Sequence, residues 1–235
     1  MKKMNRDIVI LGDGLLGGEI IEQTNWNWIS RDQDWIDFNE ISWYRKMDKY
    51  RTIVNCIACT DTYSPDREKH WQTNYVSVMN LVDYCNFHDK KLIHISTDYI
   101  YSNSQNNASE EDIPLHNRTW YAYTKLLSDA YVQARAKNYL IVRTSFKQTP
   151  FPYDEAIVTQ VGNFDYIDVI AELIIKLIKK HACGVFNVGT KKKTIYDLAI
   201  QTNPGVIAAF WKVNKLMPNN ITMNVSKMEN FLNED

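Results

Sequence analysis

The stretch Asp7-Ile8-Val9-Ile10-Leu11-Gly12-Asp13-Gly14-Leu15-Leu16-Gly17 decides the fold. The β-branched run Ile8-Val9-Ile10, closed by Leu11, reads as a short strand buried on both faces. It stops at Gly12, and Gly12, Gly14 and Gly17 have G-x-G-x-x-G spacing. Glu19-Ile20-Ile21-Glu22 then opens a helix. Strand, glycine turn and helix together are the context in which this motif binds a dinucleotide. The glycines permit a tight turn and close approach of a pyrophosphate, and the helix amino terminus offers free N–H groups and a positive dipole end. In that reading Gly12, Gly14, Leu15, Leu16 and Gly17 make the phosphate cradle.

Outward from this turn the chain alternates. Trp26-Asn27-Trp28-Ile29-Ser30, Thr52-Ile53-Val54-Asn55, Lys91-Leu92-Ile93-His94-Ile95-Ser96, Leu140-Ile141-Val142-Arg143 and Gly184-Val185-Phe186-Asn187-Val188 read as strands. Between them lie helical patterns. Trp71, Tyr75, Val78, Val82 and Cys85 recur on one face, a second helix covers about residues 120–136, and a strongly apolar one covers residues 168–180. Alternating strands and helices imply parallel βαβ units. The expected fold is α/β, a doubly wound parallel sheet of Rossmann type with a small, abbreviated C-terminal substrate subdomain. Residues 1–146 form the dinucleotide-binding core and residues 147–235 a reduced substrate-binding part, from which 165–190 returns to the core sheet. At the end of the second strand, Ser30-Arg31 stands where such folds read the adenosine ribose. An arginine there favours the 2′-phosphate of NADP, although Asp32 follows at once.

Composition narrows the partners. The chain has 235 residues, 45% hydrophobic and 23% charged, with a formal net charge of −1. That balance gives no basic footprint for nucleic acid or an anionic membrane, and the Lys191-Lys192-Lys193 run reads as a solvated loop. No apolar run reaches the length of a membrane span, about 18 residues. The first apolar segment is too short for a signal-peptide core, so a cytoplasmic location is expected. Cys56-Ile57-Ala58-Cys59 has the C-x-x-C spacing, but its place after a buried strand favours core packing over redox or metal chemistry. None of His70, His88, His94, His116 and His181 sits in a compact ligand pattern with it. Seven Trp, fourteen Tyr and eight Phe read as packing residues. Trp211 and Phe210 are candidates to cover a pocket or an oligomer interface, and a homo-oligomer is compatible with the sequence.

Chemistry enters at Tyr121-Ala122-Tyr123-Thr124-Lys125. Tyr121 and Lys125 project from one helix face a turn apart, where an ammonium favours the phenolate. Tyr123 has no lysine at that spacing. Thr97, at a strand's carboxyl end, stands where open α/β sheets bind ligands, and its hydroxyl suits a carbonyl oxygen that gains a proton. Thr97, Tyr121 and Lys125 are therefore the candidate catalytic group for hydride transfer at a carbonyl.

The glycine motif, Asn55-Cys56-Ile57-Ala58-Cys59-Thr60, Asn74, Ser96-Thr97-Asp98-Tyr99-Ile100-Tyr101, the Tyr121/Lys125 pair and Arg143-Thr144-Ser145 occur in the order of the extended short-chain dehydrogenases/reductases. From about residue 7 to Thr190, including Gln160-Val161-Gly162-Asn163-Phe164, the chain resembles their dTDP-4-dehydrorhamnose reductase branch. Plant-type UDP-4-keto-6-deoxyglucose epimerase/reductases are similar in outline. The resemblance implies NAD(P)H-dependent reduction of the C4 ketone of a nucleotide-linked 4-keto-6-deoxy sugar, with NADP(H) preferred and NAD(H) the other candidate. By the same resemblance Tyr121 is the general acid, Lys125 tunes it and holds the nicotinamide ribose, Thr97 positions the carbonyl, and Asn74 supports the site. Asp98, Ile100 and Phe146 line the sugar pocket, Ala58 and Cys59 lie along the cofactor, and Asp37 and Phe38 lie near the adenine.

Sister reactions fit less well. Sugar 4,6-dehydratases carry a glutamate where Tyr99 stands, and GDP-fucose synthase-like enzymes a cysteine where Asp98 stands. The chain also departs from the branch. Its glycine loop is one residue shorter, Phe146 replaces a tryptophan, and residues 147–158 and the carboxyl-terminal region are abbreviated, so a reduced nucleotide-sugar pocket is expected. A non-catalytic NADP-binding subunit that regulates a partner enzyme is the alternative, because the regulatory β subunit of methionine adenosyltransferase resembles the same branch. A general carbonyl reductase is a third reading.

Overall fold

The computed structural model describes residues 7–102, 106–112, 118–210 and 215–234. His116, Trp211 and part of the Asn-rich loop after Ser102 lie outside these residues. β1 (Ile8–Leu11) leads into α1 (Leu15–Thr24), β2 (Asn27–Ile29) and the short α2 (Arg31–Asp34). β3 (Thr52–Asn55) precedes a continuous helical stretch: α3 (Arg67–His70), a wide turn over Trp71–Val76, and α4 (Ser77–Phe87). β4 (Lys91–Ile95), α5 (Trp120–Arg135) and β5 (Tyr139–Arg143) follow.

After β5 the strands shorten. β6 (Phe146–Lys147), β7 (Glu155–Ile157), β8 (Val161–Gly162) and β9 (Asp165–Tyr166) lead to α6 (Ile167–Lys179) and β10 (Gly184–Asn187). The chain closes with β11 (Lys193–Thr194), α7 (Ile195–Ala199), β12 (Ile207–Ala209), β13 (Asn220–Ile221) and α8 (Ser226–Asn233). Among the described residues no helix is long and apolar enough to cross a membrane.

Six strands form one parallel sheet in the order β10-β5-β4-β3-β1-β2. Strand periodicity explains the layers. Ile8 and Ile10 of β1 enter one apolar cluster, with Ile20 of α1 and Ile170 and Ile174 of α6. Val9 and Leu11 enter the opposite cluster, with Val78 and Val82 of α4 and Val132 of α5. Both faces are therefore covered, as a parallel sheet requires. Each such side chain contributes about 1.5–3 kcal/mol by burial, and the buried polar residues of the sheet, Asn55, His94, Arg143 and Asn187, have hydrogen-bond partners. The shorter strands after β5 pack a third cluster around Phe151, Phe164 and Leu198, while α6 and β10 return to the large sheet. Lys191 and Lys192 are exposed, but Lys193 is not part of a solvated loop as its sequence context suggested: it pairs with Asp165 at 2.6 Å.

Candidate active site

β1 has β2 on one side and β3 on the other, so the connections leave it in opposite directions and open a crevice beyond the strand ends. A cavity of about 370 Å³ occupies this crevice. Gly14, Leu15, Leu16 and Gly17 form one wall, and Cys56, Ala58, Thr60 and Thr62 continue it from the end of β3. Ser96 and Thr97 after β4, Tyr121 and Lys125 of α5, and Thr144 to Lys147 after β5 complete it with Ile95 and Tyr99.

The glycine wall is shaped by close approach. Gly12 has φ +87°, a backbone conformation that suits glycine. A Cβ on Gly17 would run into the Gly12 carbonyl oxygen, so the helix can sit this close to the strand only without a side chain. At Gly14, by contrast, a Cβ would meet nothing of the protein. Gly14 is also the amino-terminal cap of α1, with no capping side chain and no acidic residue in the first turn. The cradle thus keeps open space and unmet N–H groups where a phosphate would approach.

The hydroxyl group of the site starts from a helix cap. Thr119 accepts a hydrogen bond from the Ala122 N–H at 3.1 Å and fixes the start of α5. Tyr121 and Lys125 then share the cavity face. Thr97 Oγ1, on the same wall, accepts from the Tyr99 N–H at 3.2 Å and donates to Asp98 Oδ1 at 3.4 Å. Burial raises the Tyr121 phenol to about 12, the nearby Thr97 hydroxyl opposes that rise, and Asp98 and Cys59 add to it. Lys125 does not act on the phenol as its spacing suggested. Its ammonium donates to the Ile95 carbonyl at 2.6 Å, beside His94 Nε2 at 3.5 Å. Burial lowers Lys125 to about 8, partly offset by Asp129 and Cys56. Asp98 is fully buried at the start of a single helical turn, and burial raises its carboxyl to about 7 against the opposing influence of Lys147, Thr97 and Ser145.

The residues read from the sequence divide into three groups. Gly14, Leu15, Leu16, Gly17, Ala58, Thr97, Tyr121, Lys125 and Phe146 meet in one cavity. Arg31 and Asp37 line a second, wider cavity with Asp32, Trp35 and Ile36. The remainder reach neither cavity wall. Ser30 is fully buried and caps α2 through the Gln33 N–H, and Phe38 packs edge-on against Trp43. Ile100 is fully buried in the core, and Asp98 lies behind the wall rather than on it.

Cys59 and Asn74 act on the cavity indirectly. Asn74 Oδ1 accepts from the Cys59 N–H at 2.7 Å, and its amide donates to the Cys59 carbonyl at 3.1 Å and to Thr124 Oγ1 at 3.3 Å, which clamps the 58–62 loop to α5. The sequence reading missed Thr60, Thr62, Thr144 and Lys147 on the wall and Trp35 beside the second cavity. No periodic signal marks Lys147, because a two-residue strand is too short to show alternation and Phe146 beside it lines the same cavity.

Comparison with known proteins follows this geometry. A stretch of 111 residues is 30% identical to the spore coat polysaccharide biosynthesis protein SpsK of Bacillus subtilis (strain 168), spanning 41% of this chain and 39% of that protein. Among solved structures, dTDP-4-dehydrorhamnose reductase of Bacillus anthracis str. Ames in complex with NADP superposes with a TM-score of 0.81 at 19% identity, covering 96% of this chain and 92% of that one. UDP-glucuronic acid 4-epimerase of Bacillus cereus, as a mutant with a fluorinated UDP-glucuronic acid and NAD, gives 0.80 at 17% identity, covering 97% and 93%. These two likenesses establish the fold. The family model described as the RmlD substrate binding domain matches residues 6–148. The chain belongs to this RmlD substrate binding domain family.

Proposed function

We propose that the protein reduces the C4 ketone of a nucleotide-linked 4-keto-6-deoxy sugar, using NADPH in preference to NADH. The observation that carries this reading is the meeting of Thr97, Tyr121 and Lys125 on one wall of the cavity that ends at the glycine cradle. The open space at Gly14 suits a pyrophosphate, and Arg31 on the second cavity offers a cation to a 2′-phosphate. The relative solved with NADP supports the same choice. In this reading residues 1–146 hold the cofactor and residues 147–235 supply most of the substrate side.

When bound, a nicotinamide cofactor would supply the hydride to C4. The chain handles the proton. With its phenol near 12, Tyr121 holds its proton at neutral pH and is ready to donate it to the C4 oxygen. Thr97, on the same wall, orients that oxygen. Solvent then restores the tyrosine proton, and Lys125, anchored on the Ile95 carbonyl, would hold the nicotinamide ribose. The product is a secondary alcohol.

The test mixes the protein with NADPH and dTDP- or UDP-4-keto-6-deoxyglucose, with and without a 3,5-epimerase, and follows loss of the nicotinamide absorbance. Sugar-dependent oxidation that falls about 10²–10⁴-fold in Tyr121→Phe, with NADP+ binding kept, is the expected result. In a parallel assay with NAD+ and UDP-glucose or UDP-glucuronic acid, whose C4 bears a hydroxyl, inversion at C4 without net consumption of cofactor would assign an epimerase instead. The second reading, a non-catalytic cofactor-binding regulator, draws on the two- and three-residue strands after β5, a slight framework for a large substrate. It requires that NADPH bind without turnover and that Tyr121→Phe leave the effect on the partner intact.

A further inference from the structure

The mechanism leaves one cation of the cavity unused. Among the described residues the two charged ones on the wall are Lys125 and Lys147, and no carboxylate residue stands there. Lys147 is fixed by strand register, opposite Tyr166 of β9. Its ammonium lies 5.6 Å from the centre of the Phe164 ring, a weak contact at that distance. Among the described residues it makes no hydrogen bond or ion pair, and Asp98 reaches it only as a longer-range field. Structural lysines in this protein look different. Lys90 Nζ donates to the carbonyls of Met47, Asp48 and Tyr50, and Lys125 Nζ donates to that of Ile95. Lys147 is only half-buried, so its donors open on the cavity and are available to an acceptor that enters it.

We infer that Lys147 binds an anionic oxygen of the substrate, from a phosphate or a carboxylate, and so selects which sugar nucleotides enter the cavity. This deepens the proposed function and rests on it, since the anion must belong to a molecule that reaches Thr97 and Tyr121. The position was hidden in the sequence because residues 147–158 were read only as a shortened segment.

The test is a binding titration in the presence of saturating NADP+, with UDP, UDP-glucose and UDP-glucuronic acid as probes, repeated with dTDP and dTDP-glucose. Wild type, Lys147→Met and Lys147→Arg are compared, with NADP+ binding as the control for folding. Removing a charge-assisted hydrogen bond should weaken affinity about 10- to 100-fold in Lys147→Met, with most of it retained in Lys147→Arg. An equal loss for all probes identifies the diphosphate as the source, and a loss confined to UDP-glucuronic acid identifies a sugar carboxylate. Unchanged affinity in Lys147→Met overturns the inference while leaving the functional reading standing. A wild type that takes NADP+ but none of the nucleotides overturns both.

Discussion

Two buried polar regions flank the carboxyl ends of β4 and β5, and they are built on opposite principles. In the first, Arg143 donates to both oxygens of Asp129 at 3.0 and 2.9 Å, to the Tyr101 hydroxyl at 2.6 Å and to the Glu110 carbonyl at 2.9 Å. Tyr101 in turn donates to Asn187, whose amide holds the Ala108 carbonyl. This network leaves little chemistry unspent. The second region, only a few residues away, contains Ser96 Oγ, Asp98 Oδ2 and Thr144 Oγ1, all buried without a partner among the described residues, beside the half-buried Lys147. A satisfied network fixes a fold; an unsatisfied one is arranged for something that arrives later.

The sharpest way to break that contrast is to cut the first network. Asp129→Ala leaves the Arg143 guanidinium buried and uncompensated, and should cost about 3–5 kcal/mol in urea unfolding. Thr144→Val, in the second region, removes a hydroxyl that has no protein partner, so stability should hold or rise slightly while ligand affinity falls. If Thr144→Val destabilises as much as Asp129→Ala, the distinction between the two regions is wrong.

The glycine cradle repeats the comparison on a smaller scale. Gly17→Ala forces a Cβ against the Gly12 carbonyl, and should cost roughly 1–3 kcal/mol through strain between strand and helix. Gly14→Ala meets nothing in the protein, so its melting temperature should match wild type while NADP+ affinity, measured by titration, declines. Equal melting temperatures for the two variants would contradict the close packing at Gly17.

The first network and the cradle differ in how far the sequence announces them. The sheet was legible because β-branched runs and the glycine spacing are local signals, and the strand ends then follow to within a residue or two. Thr97, Tyr121 and Lys125 were legible for the same reason: a strand end and one helical turn bring them together. Ile100 and Phe38 were not, because adjacent residues in a loop or tight turn do not alternate with a fixed period, so burial and exposure cannot be read from spacing. The direction of the Lys125 ammonium was also beyond the sequence. An i, i+4 spacing sets which face a lysine leaves, but not whether its long chain ends on a phenol or on the Ile95 carbonyl. Lys147 depended on the pairing of β6 with β9, a contact between segments 18 residues apart.

The subtlest test concerns Asp98, and its sign follows from where its proton is held. The carboxyl has an ordinary value of 3.8 and is raised to about 7 in the folded protein, chiefly because burial disfavours its charge. Between those two values the folded protein binds a proton that the unfolded chain has released. The contribution to stability is therefore complete below 3.8 and is lost as pH rises through about 7. Asp98→Asn cannot titrate, so the difference in unfolding midpoint between wild type and this variant should drift against wild type across that window and then level off. Titration of all other shared groups cancels in the difference. A difference that stays flat from pH 4 to 8 would mean that the Asp98 charge is compensated after all, and that the second region is as well satisfied as the first.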